Sequence, residues 1–195
     1  MTAGYSTITL TSISEQVLLL TLNRPQVRNA INSIMMQELH HLWTHVDPEC
    51  RCIIITGEGD KAFSAGADLK ERHGLDEATW KANHHQLQQA MLAMCDCQVP
   101  IIAAVNGFAY GGGFELALAS DFIYASTTAT FALPETRLGI MPGAMGTQHL
   151  TTACGIRRAQ EIILTGRSFS AQEAYDWRIV NAVIEPEKLL STAIE

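Results

Sequence analysis

The stretch from Val99 to Ala119 constrains the fold more than any other segment. It holds 21 residues of mostly apolar character, long enough on length alone to cross a bilayer as a helix. Pro100, Asn106 and Glu115 interrupt it, and so do Gly107 and the run Gly111-Gly112-Gly113. A run so broken, with a carboxylate inside it, makes a poor spanning helix. The remaining solution is a buried strand, a glycine-rich turn and a buried helix. Such a segment needs protein around it. With 195 residues, 47% hydrophobic and 17% charged, the chain has enough material for one globular domain over residues 1–195 and does not have a disordered composition.

The pattern on either side is of the same kind. Residues 6–11 alternate, as a half-buried strand should, and Val17 to Leu22 reads as its hairpin partner. Pro25 ends that pairing. Ser33 to about Val46 is helical in pattern. Cys52 to Thr56 and Ile101 to Val105 are short apolar strands of the type covered on both faces. Asp76 is placed to cap a helix over Glu77–Cys95. Phe122 to Ala125, Thr130 to Leu133 and Ile179 to Ile184 read as strands. Thr147 to Leu164, interrupted at Gly155, reads as helix, as do Ala171 to Asp176 and the residues from Pro186. Strands alternating with helices predict an α/β fold with much parallel pairing.

The net charge is −7, which disfavours a nucleic-acid reader, since those present basic patches. The first cation after the N-terminus is Arg24, so residues 1–23 supply neither a secretory n-region nor an arginine-rich transit peptide. The five cysteines, an odd number, suit a reducing compartment, and a cytoplasmic location is expected. Their two Cys-x-Cys pairs are read as small apolar residues, and no metal site is expected. The histidines at 40, 41, 45, 84 and 85 read as parts of solvated helix faces.

Two small-residue turns and two carboxylates stand out as chemistry. Ser64-Ala65-Gly66-Ala67-Asp68 follows one apolar strand, and Asn106 to Gly113 lies between another strand and a helix. Small side chains let a ligand approach the backbone. Free N–H groups at a helix start favour an oxygen gaining negative charge, and one N–H from each turn would make an oxyanion hole. Glu115 and Glu135 sit in apolar surroundings, where a carboxylate is costly unless paired or functional. Such a pair can divide acid and base roles. The competing structural reading has Glu115 capping its helix and Glu135 pairing with Arg137. A Walker P-loop, a Gly-x-Gly-x-x-Gly fingerprint and a Gly-x-Ser-x-Gly elbow are all absent.

Four ordered motifs carry a family resemblance: Asn23-Arg24-Pro25 with Asn29-Ala30, Ala62 through Lys70, Asn106 through Asp121, and Pro134 through Leu150. In these the chain resembles the crotonase, or enoyl-CoA hydratase/isomerase, superfamily from about Ile8 to Glu195. The resemblance implies a crotonase-like spiral of ββα units. It implies an acyl-CoA substrate whose thioester oxygen accepts from the N–H groups of Ala67 and Gly112, with Glu115 and Glu135 holding a water and moving its protons. It also implies that Val27, Arg28, Ala65, Ala67, Asp68, Leu69 and Lys70 lie along CoA. No metal or organic cofactor is implied, since CoA arrives with the substrate; nor is a nucleic-acid or membrane partner. Relatives commonly have Gly at the position of Met145 and Arg at that of His149. They are also longer, with C-terminal helices that build a trimer or a dimer of trimers, so those helices are expected to be missing here.

The implied reaction is hydration of an enoyl-CoA, as in fatty acid metabolism. The alternatives are other crotonase chemistry and a non-catalytic RNA- or protein-binding homologue. The first group comprises isomerisation, to which the retained first Glu runs counter, carnityl-CoA dehydration, which residues 111–119 resemble, and methylglutaconyl-CoA hydration, which residues 66–72 resemble.

Overall fold

Period-two burial decides how the apolar strands are used. In β3 (Cys52–Gly57) Ile53 and Ile55 join the main core, while Ile54 faces the opposite side with Leu19 and Ala104. The strand is therefore covered on both faces, as its continuous apolar run predicts. The computed structural model describes residues 4–195.

The chain begins with an antiparallel hairpin, β1 (Ile8–Ser12) and β2 (Val17–Leu22), in which Ile8 lies opposite Leu22. A 3-10 turn at Pro25–Val27 leads to α1 (Ser33–Thr44), capped by the Asn32 side chain accepting from Met35 N. β3 pairs parallel to β2. Then come β4 (Ala62–Ser64), the single turn α2 (Leu69–Arg72) and the long α3 (Glu77–Cys95), with Asp76 as its cap. Next are β5 (Ile101–Val105), β6 (Phe108–Tyr110) and α4 (Gly112–Leu118). β7 (Phe122–Ser126) and β8 (Thr130–Ala132) precede a 3-10 turn at Glu135–Leu138 and the pair α5 (Gly146–Cys154) and α6 (Ile156–Thr165). β9 (Phe169–Ser170), α7 (Ala171–Asp176), β10 (Ala182–Ile184) and α8 (Pro186–Ile194) complete the described chain.

These elements build two sheets. A six-stranded sheet runs β1-β2-β3-β5-β7-β10, and a four-stranded one runs β4-β6-β8-β9. Three times in succession the chain lays a strand in the large sheet, then one in the small sheet, then helix. The result is the spiral of ββα units that the resemblance implied. The main core lies between the layers, where Phe114, Phe131 and Phe169 pack ring against ring. α8 covers the other face through Leu189 and Ala193.

Two sequence expectations need correction, and one strand was not anticipated. The segment Asn106–Gly113 is not one long turn, because Phe108–Tyr110 form a strand inside it. Ala62–Ser64 is likewise a strand. Both are too short to show periodicity and exist because they pair with each other. The strand read over Ile179–Ile184 shrinks to its last three residues; before it, Arg178 takes a left-handed conformation and ends the helical segment. No helix among the described residues is long and apolar enough to cross a membrane.

Two local devices hold the small sheet in place. Asn29 is fully buried with φ +55°, and its amide donates to the carbonyls of Glu58 and Ala62 while its oxygen accepts from Arg24 N. Gly113 passes so close to β4 that a Cβ there would lie 2.4 Å from Ser64 O. Replacing Asn29 with Ala leaves three backbone groups without partners, of which the Ala62 carbonyl is fully buried and the other two partly so. Stability measured by urea denaturation should fall by about 3 kcal/mol.

Candidate active site

The small sheet sets the site by register. β4, β6 and β8 are parallel neighbours, with Ser64 opposite Ala109 and Tyr110 opposite Ala132. Their C-terminal ends therefore lie side by side, and the residues that follow them converge: Ala67 after β4, Gly112 after β6 and Glu135 after β8. Gly66 makes the first of these turns. Its φ is +82°, and a Cβ would lie 2.5 Å from Tyr110 O. A Cβ placed on Gly112 would be 3.8 Å from Ala67 N, so the two amides are near neighbours. Neither amide donates to an acceptor among the described residues. Gly112 is the first residue of α4, where an N–H has no intrahelical partner and the helix dipole is positive.

Ala67, Gly112, Glu115 and Glu135 all line one cavity of about 910 Å³. Its other walls come from α3 and from the segment before and into α5. Glu115 is only 2% exposed. Its Oε1 accepts from Ala144 N at 2.8 Å and Gly146 N at 2.9 Å. Burial pushes its carboxyl above the usual range despite these two bonds. Glu135 is 8% exposed, and its buried Oε2 has no hydrogen-bond partner. Burial, reinforced by the charge of Glu115, pushes its pKa up to about 7. The structural alternatives fail. Arg137 donates to Thr165 O instead of pairing with Glu135, and Glu115 binds the loop before α5 instead of capping its own helix.

The stretches assigned to CoA lie against each other, because Ala65 N donates to Arg28 O, Ile31 N to Gly66 O and Asp68 N to Ile31 O. Apart from Ala67, however, none of them lines the large cavity. Val27 sits in the 3-10 turn. Arg28 lies over the Phe108 ring and lines a separate hollow of about 210 Å³. Leu69 and Lys70 are exposed on α2. Asp68 is committed elsewhere: it caps α2 and pairs with Arg24 at 3.0 Å. Burial raises its pKa, but the Arg24 bond and the cap outweigh that and hold its carboxyl below the usual range.

The cavity also contains residues that sequence reasoning did not single out. Trp80, His84, Leu87, Gln88 and Met91 share one face of α3 at helical spacing and form a wall. His84 is therefore not part of a merely solvated face; its ring stacks on Trp80 at 5.2 Å and crowds Gly143. Arg72 enters from α2. The signal that could have found them is the recurrence of aromatic and apolar residues at helical spacing on α3, which marks a covered face but not what covers it. Met145 lines the cavity with φ +71°, a left-handed conformation that costs a side chain about 1–2 kcal/mol. That angle is one that glycine adopts without strain.

A spiral of ββα units with a cavity at the ends of its small sheet has the crotonase architecture. The sequence profile described as enoyl-CoA hydratase/isomerase matches residues 12–195. The chain is 40% identical to an enoyl-CoA hydratase from Bacillus anthracis of known crystal structure, with a TM-score of 0.94 over 97% of this chain and 74% of that one. It is 33% identical to a protein from Thermobifida fusca YX solved in complex with acetoacetyl-CoA, with a TM-score of 0.90 over 97% of this chain and 78% of that one. It is 42% identical to the carnitinyl-CoA dehydratase of Citrobacter koseri over 92% of this chain and 69% of the relative. The chain belongs to the enoyl-CoA hydratase/isomerase family.

Two measurements probe this geometry. Since only glycine is unstrained at φ +71°, Met145→Gly should be more stable than Met145→Ala by about 1 kcal/mol, the reverse of the usual order. For Glu135, the folded pKa lies above the unfolded value of 4.5, so the native state binds the proton more tightly. Its contribution to stability is full below pH 4.5 and is lost as pH rises through about 7. Glu135→Gln should thus be more stable than wild type at pH 8, by up to about 3 kcal/mol, with the difference vanishing near pH 4. Paired thermal melts at the two pH values read this directly.

Proposed function

We propose that this chain hydrates the 2,3 double bond of an enoyl-CoA, using Glu115, Glu135 and the amides of Ala67 and Gly112. The observation that carries the reading is their convergence. Two free N–H groups and two buried carboxylates with raised pKa values share one cavity. The thioester oxygen sits at the two amides and takes up negative charge as water adds at Cβ. Glu115, fixed through Oε1 by Ala144 N and Gly146 N, keeps Oε2 for the water and orients it. Glu135, with a pKa near neutrality and an unpartnered oxygen, delivers the proton to Cα. The water oxygen forms the new bond to Cβ, its proton passes to the carboxylate pair, and the π electrons of the double bond end in the new C–H bond at Cα. The two carboxylates titrate as a coupled pair, so this division is one description of a shared proton.

The reaction so written needs no metal or organic cofactor. The same groups run the dehydration of a 3-hydroxyacyl-CoA in reverse, which fits a relative named as a dehydratase. A role in RNA binding has little support, since the chain carries a net charge of −7.

The test is the loss of enone absorbance with crotonyl-CoA. Glu115→Gln and Glu135→Gln should each lower kcat by about 10²–10⁴-fold. Gly112→Pro removes one amide donor at a helix position that tolerates proline, and should cost about 10²–10³-fold. Gly112→Ala keeps the donor, and its Cβ makes only ordinary contacts, so its loss should be far smaller. A folded wild type inert toward enoyl-CoA thioesters of every chain type would overturn the reading.

A further inference from the structure

Three side chains that the hydration chemistry does not use meet where the end of α3 reaches the start of α5. Cys95 is the last residue of α3. Met145 and His149 stand one helical turn apart, with His149 N donating to Met145 O at 3.0 Å. The Cys95 Sγ lies 3.9 Å from Met145 Sδ and 3.8 Å from His149 Nε2. Cys95 is exposed and the other two are half-buried, so the cluster opens to solvent.

As hydrogen bonds these contacts are worth little, since a thiol is a weak donor and a thioether a weak acceptor. As edges of a coordination site they have the right length. A metal with bonds of about 2.3 Å to sulfur and about 2.0–2.1 Å to nitrogen, at 120° to one another, holds two sulfurs about 4.0 Å apart and a sulfur and nitrogen about 3.8 Å apart. Cys95 and His149 do not form an activated thiol. Burial, with the charge of Asp96, holds the Cys95 thiol above its usual range, and burial holds the His149 imidazole below its own. Both groups are therefore neutral near pH 7. A neutral imidazole is the form that binds a metal, and a cation at the thiol displaces its proton to solvent.

The donor set chooses the metal. No three of His, Cys, Asp and Glu among the described residues are grouped to hold an ion, so the four donors of a structural zinc site are lacking. Thiolate and thioether are soft ligands that select Cu(I). Met145 reaches the cluster from a left-handed backbone with φ +71°, a strain of the kind that persists at functional sites.

We propose that Cys95, Met145 and His149 form a three-coordinate site for Cu(I). The bound ion ties the end of α3 to the start of α5, beside Ala144 and Gly146, whose amides hold Glu115.

The test is anaerobic titration of the reduced full chain with Cu(I) against the chelator bathocuproine disulfonate, followed by X-ray absorption at the copper edge. Wild type should retain one equivalent, in a three-coordinate shell of two sulfurs and one nitrogen. Even partners outside a metal's own ligands are worth about 10–100-fold in affinity, so Met145→Leu and His149→Gln should each weaken binding at least about 10-fold, and Cys95→Ser more. Cys97→Ser leaves the three donors in place and should bind as wild type does. A wild type that retains no copper against the chelator overturns the proposal. So does a copper shell without nitrogen, or affinity unchanged in any of the three donor variants, or loss of the tight equivalent in Cys97→Ser; each of these means adventitious capture by thiols. Displacement of Cu(I) by equimolar Zn(II) overturns the choice of metal. The wild-type absorption spectrum decides the matter even where a variant fails to fold.

Discussion

Everything in the site depends on the parallel register of three short strands. Ser64 lies beside Ala109, and Tyr110 beside Ala132, so the chain leaves the small sheet at the same level three times. Each exit places a different group at that level: an amide at Ala67, an amide followed by a carboxylate at Gly112 and Glu115, and a carboxylate at Glu135. A slip of one residue in any strand would turn its side chains to the other face and break the convergence. The strands are too short to secure this themselves. Asn29 clamps the backbone before β4, and Gly113 lets α4 approach β4 closely enough to lock the two repeats together.

Burial then sets the chemistry. Both carboxylates are held where the charged form is disfavoured, and the charge of Glu115 raises the cost of ionising Glu135. The backbone offsets part of that cost at Glu115, through two amides on one oxygen, and leaves Glu135 with an unpartnered oxygen. Chemically similar residues thus become unlike: one positioned and still accepting, the other poised near neutral pH. Structural stability is sacrificed locally, as expected where function requires groups that a core would otherwise exclude. Met145 belongs to the same economy of strain. It holds a left-handed backbone angle immediately before α5, on the segment that supplies the amides bound by Glu115.

Much of this was legible in the sequence. The long helix α3 and its Asp76 cap, the break at Gly155, and the buried strand and helix on either side of the glycine-rich segment after Val99 follow from periodicity and capping. Glu115 and Glu135 were visible as carboxylates in apolar company. Less visible were β4, β6 and β9, because strands of two or three residues have no period to read. Their pairing partners alone make them strands. The CoA assignments at Asp68, Leu69 and Lys70 came from family likeness, and the structure keeps them outside the large cavity, with Asp68 tied to Arg24. His84 looked like a solvated residue because polar side chains surround it in the sequence; in space it faces Trp80 and Gly143.

The sequence by itself determined the alternation of strand and helix, the apolar runs that must be covered on both faces, and the residue types able to do proton chemistry. These follow from local rules: the period of a strand or helix, the left-handed freedom of glycine and the cost of a carboxylate among apolar neighbours. Tertiary structure decided which of those residues meet. Ala67, Arg72, Gly112, Glu115 and Glu135 share a cavity because parallel strands far apart in the chain end side by side. It also decided their ionisation, since a pKa responds to the dielectric and charges that packing places around a group and not to its neighbours in the chain.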